Sequence, residues 1–513
     1  MKKRILGIIL TVAMILSLLA VIPLTVSADE NTFDASANPV IITTDADMEA
    51  FQSAINGGTT FEGKTVKLAG DVALSGRIGA TSSKPFMGNF DGQGHTVTIT
   101  QTISNPDGNG GLFDFVRTPE SGEVTIQNVH VNGTITMTNS KANNGWTGGV
   151  ISCVDGNTSG AGGIINVKNI WSSIRIECGN TECYQGVGGI IGVSRHANGL
   201  PPLTINMDSC LWDGVINAGP ALYYGGGLMG YTGNNKPGRT LTINITNCVS
   251  AGTIMTNSSW NVSNGVIFGY AKGSNSADET AKVTLNISNV ISCGKITNSK
   301  DYGGESNIGH VGWIDGITEL NMTNVYFTAF DRGNLEDDTP ALAGGTAKTA
   351  TNIVVKTPAE LAALTSADFT DGTKWTFKAA DTENGYIPCP ASLAPAQEWI
   401  DVLKTDAPEP TDPGENPGEN PGENPGENPG EQPGEQPGEQ PGEQPGEQPG
   451  ETETTGATVT TEEPATTQAP ETTGTQTKKK GCGSTVGAMG AIAFTAIFAG
   501  AVCAKKKKDD RDE

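Results

Sequence analysis

The chain has 513 residues, of which 56 are acidic and 32 basic, giving a formal net charge of −24. Ten of the acidic residues sit in one linker, yet the balance still argues against a nucleic-acid partner. Glycine is abundant at 68 residues, aromatics make up 6%, and few stretches show helical periodicity, which together point to an all-β fold.

The first 28 residues read as a secretory signal peptide: a basic start at Lys2, Lys3 and Arg4, an apolar run from Ile5 to about Leu24, and small residues at Val26-Ser27-Ala28. The exported chain is expected to begin at Asp29. Residues 29–100 read as an N-terminal cap and the first rungs of a stacked fold. "TTDADMEAFQSAINGG" predicts a helix from about Asp45 to Asn56, stopped by Gly57. "FMGNFDGQGHTVTI" follows, with Asp91-Gly92 and Gln93-Gly94 forming a tight turn before the strand His95 to Ile99. His95 is expected to be a turn residue bonded to backbone groups rather than a ligand.

Residues 101–332 hold internal repeats. "IQNVHVNGTI", "VKNIWSSIRI", "MDSCLWDGVI", "ITNCVSAGTI", "ISNVISCGKI" and "MTNVYFTAFD" align, with spacings of 41, 40, 38, 42 and 35 residues. Each follows a small-residue strand such as "GGLFDFV", "GGVISCV" or "GGLMGYT". Three short strands per unit, stacked on their equivalents, predict a parallel β-solenoid. Leu241, Ile243 and Ile245 alternate with polar residues and should point inward. Asn128, Asn169, Ser209, Asn247, Asn289 and Asn324 fall at one corner, where Asn tolerates the left-handed conformation. Val129, Ile170, Cys210, Cys248, Val290 and Val325 form an apolar column, so those cysteines read as small core residues.

The next column contains His130, Trp171, Leu211, Val249, Ile291 and Tyr326. Alternation turns it outward, yet it is largely apolar. Long loops covering it are the expected explanation; an exposed stripe for glycan or protein contact is the other. The candidate binding residues are therefore His130, Trp171 and Tyr326, with the loop aromatics Trp146, Tyr223, Tyr224 and Trp260.

Residues 333–404 read as a closing segment. Residues 405–477 are a spacer of Pro-Gly-Glu repeats and a Thr-rich piece, too polar to build a core. Residues 478–513 read as an anchor: an uncharged stretch from Gly483 to Ala504, then the basic Lys505 to Lys508, which place the tail in the cytoplasm and the ectodomain outside. Cys482, at the outer end of that stretch, is either a processing or lipidation site or a plain membrane-end cysteine. Of the nine cysteines, Cys178 and Cys183 are the candidate bridged pair, with two free thiols as the equal alternative.

Acidic residues and the four histidines fall in no common column, and no metal-ligand spacing, nucleophile elbow or phosphate loop occurs. No catalytic, cofactor or metal residue is therefore assigned. "FMGNFDGQGHTVTI" with its "GGLFDFV" and "GGLMGYT" units resembles the GLUG-motif, adhesin-like surface proteins of bacteria, over about Pro39 to Pro390. The resemblance implies a right-handed parallel β-helix that displays a surface for extracellular glycan or protein. Spacer, apolar stretch and basic tail resemble Gram-positive surface-anchoring signals, although the usual sorting motif is absent. A β-helix polysaccharide lyase or glycosidase and an inert envelope spacer are the alternative functions.

Overall fold

The computed structural model describes residues 33–403, apart from 105–107, 139–145, 157–161, 179–183, 196–200, 219–221, 234–239, 257–262, 273–281, 299–306, 315–317, 330–341, 345–348, 380–383 and 394–398. The expected signal peptide, spacer and anchor lie outside these residues, as do Cys183, Trp260 and Cys482. No helix among the described residues is long and apolar enough to cross a membrane.

The helix forms where the sequence places it, at Asp45–Gly57. Thr44 caps its start in a capping box with Asp47, and Gly58 ends it in the left-handed conformation at φ 110°. Its buried face, Met48, Phe51 and Ile55, closes the end of the core. There Phe51 meets Phe61, Phe86 and Phe113 edge-on, with ring centroids 5.0, 5.9 and 6.4 Å apart. An open solenoid end needs such a cover, because its first rung would otherwise expose core and strand edge together.

The body is a parallel β-solenoid. One sheet of 17 strands carries the alternating segments and the strands that follow them, while a sheet of 10 carries the Gly-rich strands. The repeats stack in register: Ile205 pairs with Ile243 and Ile243 with Leu285, and Ile176 pairs with both Ile135 and Ile216. The inward columns read from the sequence are buried throughout. In three repeats, however, the Gly-rich strand is divided by a bend after its first glycine, as between Leu222–Gly226 and Met229–Gly233, whereas Ser263–Lys272 and Asn307–Ile314 run unbroken. A Cβ on Gly226 would collide with the Met229 carbonyl oxygen, and Gly148, Gly188 and Gly265 stand in the same relation to Ile151, Ile191 and Phe268. The glycine pairs therefore serve this bend.

Every corner residue named above has a positive φ, between 52° and 57°. Their side chains bond from rung to rung. Asn128 donates to Asp91 at 2.9 Å and Asn169 to Asn128 at 2.9 Å. Ser209 breaks the run. Asp208 restarts it by accepting from Asn247 at 2.7 Å, and Asn289, Asn324 and Asn352 continue it at 3.3, 3.0 and 2.9 Å. The glycine-rich motif that precedes the repeats is the start of this corner. Asp91 also accepts from the Gln93 backbone at 3.0 Å, and Gln93 and Gly94 take φ of 54° and 87°. His95 donates its backbone N–H to Gly92, while its ring meets Asp71 at 3.3 Å.

Inside, Ser172 and Ser250 tie one sheet to the other through the carbonyls of Gly189 and Val266, at 2.6 and 2.5 Å. In the equivalent place Ser292 meets His310 Nδ1 at 2.6 Å, and His310 Nε2 lies 2.8 Å from the Thr328 carbonyl. Burial pushes His310 down to about 3, so the neutral ring donates to that carbonyl and accepts from the serine.

The closing segment departs from expectation twice. It first adds another rung, Thr349–Val355, with Asn352 at the corner. It then folds back over the solenoid's outward stripe. Leu361, Leu364, Phe369, Trp375, Ile387 and Val402 form one buried cluster with Leu211, Val249, Ile291 and Tyr326. The stripe is thus covered, as expected, but the closing segment provides this cover where repeat loops were expected to. Repeat periodicity shows which residues need a cover and is silent about which segment supplies it.

Candidate functional site

The cover reaches the first two residues of the stripe only in part, with Trp171 packed against the edge of the covered cluster. His130 and Trp171 remain half-buried, and the adjoining groove, about 370 Å³, is lined by Gln93, Gly94, Asn128, Val129, His130, Asn169, Trp171, Ser392 and Leu393. That volume lies within the range of small-ligand sites. One wall is aromatic: His130 and Trp171 stack with centroids 3.8 Å apart and planes 12° from parallel. Register makes this stack, since the two residues are ladder partners. Asp213 fixes the indole by accepting from Trp171 Nε1 at 3.0 Å with each carboxylate oxygen.

The other wall is the amide corner. Ser209 cannot continue the amide ladder, so the Asn169 side-chain carbonyl has no protein partner among the described residues and stays available as an acceptor in the groove. An aromatic platform beside a free amide acceptor suits a ring that is apolar on one face and carries hydroxyls at its rim.

His130 also contacts a hydroxyl: its Nε2 lies 2.7 Å from Ser173 Oγ. This pair lacks the remainder of a nucleophilic site. Nδ1 faces the Thr96 hydroxyl at 3.5 Å where a carboxylate would be needed, and burial pushes the imidazole down to about 4. A base that weak takes a serine proton poorly, and the contact orients the ring for stacking. The carboxyl pushed into the neutral range, Asp114 at about 7, is raised by burial. It is enclosed against Arg77 at 2.6 Å, away from the groove. Among the described residues no group of three or more His, Cys, Asp or Glu could hold a metal ion.

The remaining candidates are dispersed. Tyr326 is buried under the closing segment, its hydroxyl donating to the Asp368 carbonyl at 2.6 Å. Cys178 is a buried free thiol. Trp146, Tyr223 and Tyr224 lie at the Gly-rich sheet. Phe115, Cys153 and Val193 form a small outer cluster there, against which Trp146 and Tyr231 pack. Tyr231, Tyr270 and Trp313 are successive ladder partners, and Tyr224 stacks on Tyr231 and Tyr270 at 4.8 and 4.6 Å. This second column was overlooked in the sequence, although the Gly-rich segments display it: "GGLMGYT", "NGVIFGY" and "IGHVGWI" each carry an aromatic near the same place.

Fold and groove define a parallel β-solenoid of short parallel rungs, capped at its start and covered along one outer stripe. No family model matches the sequence, and no curated protein is similar to it. Among solved structures, a Bacteroides ovatus protein provisionally called an immunoglobulin A1 protease is similar at 16% identity and a TM-score of 0.46, over 69% of this chain and 92% of its own.

Proposed function

We propose that this chain is a non-catalytic cell-surface display protein: a right-handed, GLUG-type β-helix that binds an extracellular glycan and stands on its spacer and membrane anchor. The observation that carries the reading is the groove, where the His130–Trp171 stack meets the unengaged Asn169 carbonyl. A sugar ring fits both walls. Its apolar face covers the aromatic edge and its hydroxyls reach the amide corner.

Trp171→Ala should weaken binding of whichever soluble oligosaccharide the full chain selects from a glycan array by tenfold or more, with the β-sheet circular dichroism of the folded chain retained. A wild-type chain that binds no glycan, or a Trp171→Ala chain that binds as well as wild type, would overturn the reading. Reducing-sugar release in the same screen would instead mark an enzyme. The anchor is checked separately. Deleting the chain from Lys478 onward should release the protein into the medium, measured by cell fractionation. Full retention of the truncated chain would mean that attachment lies elsewhere.

A further inference from the structure

The outer face of the larger sheet carries a periodic array of hydroxyls and amides that the groove does not use. Thr204, Thr242 and Thr284 are in-register partners, and so are Asn206, Asn244 and Asn286. All six are half-buried, as side chains become when they pack against their neighbours on a flat sheet. The amides are polarised in one direction. Asn206 donates to Asn166 at 3.0 Å, Asn244 to Asn206 at 2.8 Å, Asn286 to Asn244 at 2.8 Å and Asn321 to Asn286 at 2.9 Å.

Each side-chain amide has two N–H donors and two carbonyl lone pairs, and the ladder uses one of each. One donor and one acceptor per rung are therefore left for a ligand, repeating at the rung spacing of about 4.8 Å. The ladder also commits Asn244 and Asn286, whose sequences would otherwise suit glycan attachment, to the scaffold. Charge enters the Thr column only at its ends, through Glu123 and Glu319. On a chain of net charge −24, three adjacent rungs without charge in either column form a distinct surface.

We infer that this face binds a neutral, linear polysaccharide lying parallel to the solenoid axis, so that successive sugars meet successive rungs. The chemistry selects the occupant. A polyanion finds no cation in either column, an apolar partner finds no apolar rank, and a polymer that repeats its hydroxyls at about one rung's length finds a donor and an acceptor at each step. The inference rests on reading the protein as a glycan-binding surface module. It adds the class of glycan and a second, extended contact.

The test is depletion of the full chain from solution by insoluble cellulose or chitin, with pectate as the acidic control. The wild type should bind at least one neutral polymer, in a manner insensitive to salt. The double variant Thr242→Lys/Thr284→Lys, which leaves the amide ladder intact, should bind at least tenfold more weakly at an unchanged melting temperature. Trp171→Ala should retain polymer binding even where it loses soluble oligosaccharide, which separates this surface from the groove. Retention on pectate alone, equal retention of the double variant, or loss of polymer binding through Trp171→Ala in place of the double variant would each overturn the inference.

Discussion

Ile243→Asp is expected to break the solenoid, and Thr242→Asp, one residue away, to leave it standing. Ile243 is fully buried between its ladder partners Ile205 and Leu285. An aspartate there has no donor within the core. It would be buried as an unpaired charge or as an unsatisfied acid, and the lost isoleucine volume adds a cavity. The sum is on the order of 4–5 kcal/mol or more. Rungs stabilise one another chiefly through their interfaces, so the damage spreads to both neighbours. A fall in Tm on the order of 10 °C or more by circular dichroism is expected. Thr242 is half-buried, points out of the sheet and faces Thr204 and Thr284. Its replacement should stay within about 0.5 kcal/mol. The reverse outcome would mean a register slipped by one residue, since such a slip exchanges the two faces of every strand.

The same residues show how much of the fold was legible. Period-two alternation in "LTINIT" and its equivalents identified the inward columns, because burial on one side of a strand forces that pattern. The corner was legible because a repeated left-handed position selects Asn, and the cap because a short helix runs up to a stop at Gly57. The groove was only half legible. His130 and Trp171 could be placed in one column, but the free carbonyl of Asn169 depends on Ser209 breaking a ladder, and the groove's far rim, Ser392 and Leu393, comes from more than 200 residues away in sequence. Such contacts leave no periodic trace. The extra rung at Thr349–Val355 was missed for a different reason: it places Ala350 where its ladder partner is Met322, so the large apolar alternation by which the other repeats align is weak there.

Removing the aromatic wedge of the closing segment, by Phe369→Ala together with Trp375→Ala, is expected to uncover the stripe without unfolding the solenoid. The two rings stack at 4.1 Å, and Phe369 meets Tyr326 edge-on at 5.8 Å. Both are nearly fully buried, so each truncation should cost about 3–5 kcal/mol. That loss falls on the segment's docking. Its polar ties among the described residues include the Tyr326 hydroxyl to the Asp368 carbonyl at 2.6 Å, Thr370 to the Asn289 and Asn324 side chains at 3.1 and 3.2 Å, and Lys374 to Asp208 at 3.9 Å. The solenoid beneath keeps its own ladders and its own core, which form a cluster separate from the covered stripe. The double variant should therefore retain its β-sheet circular dichroism and main thermal transition. Limited proteolysis should now cleave between residues 357 and 393, and an apolar dye should bind. Exposing Leu211, Val249, Ile291 and Tyr326 as one continuous apolar ladder should also drive self-association, visible by analytical ultracentrifugation. Oligosaccharide binding in the groove should weaken as well, because Ser392 and Leu393 form its far rim. A single cooperative collapse of solenoid and segment together would show instead that the cover is an inseparable part of the core.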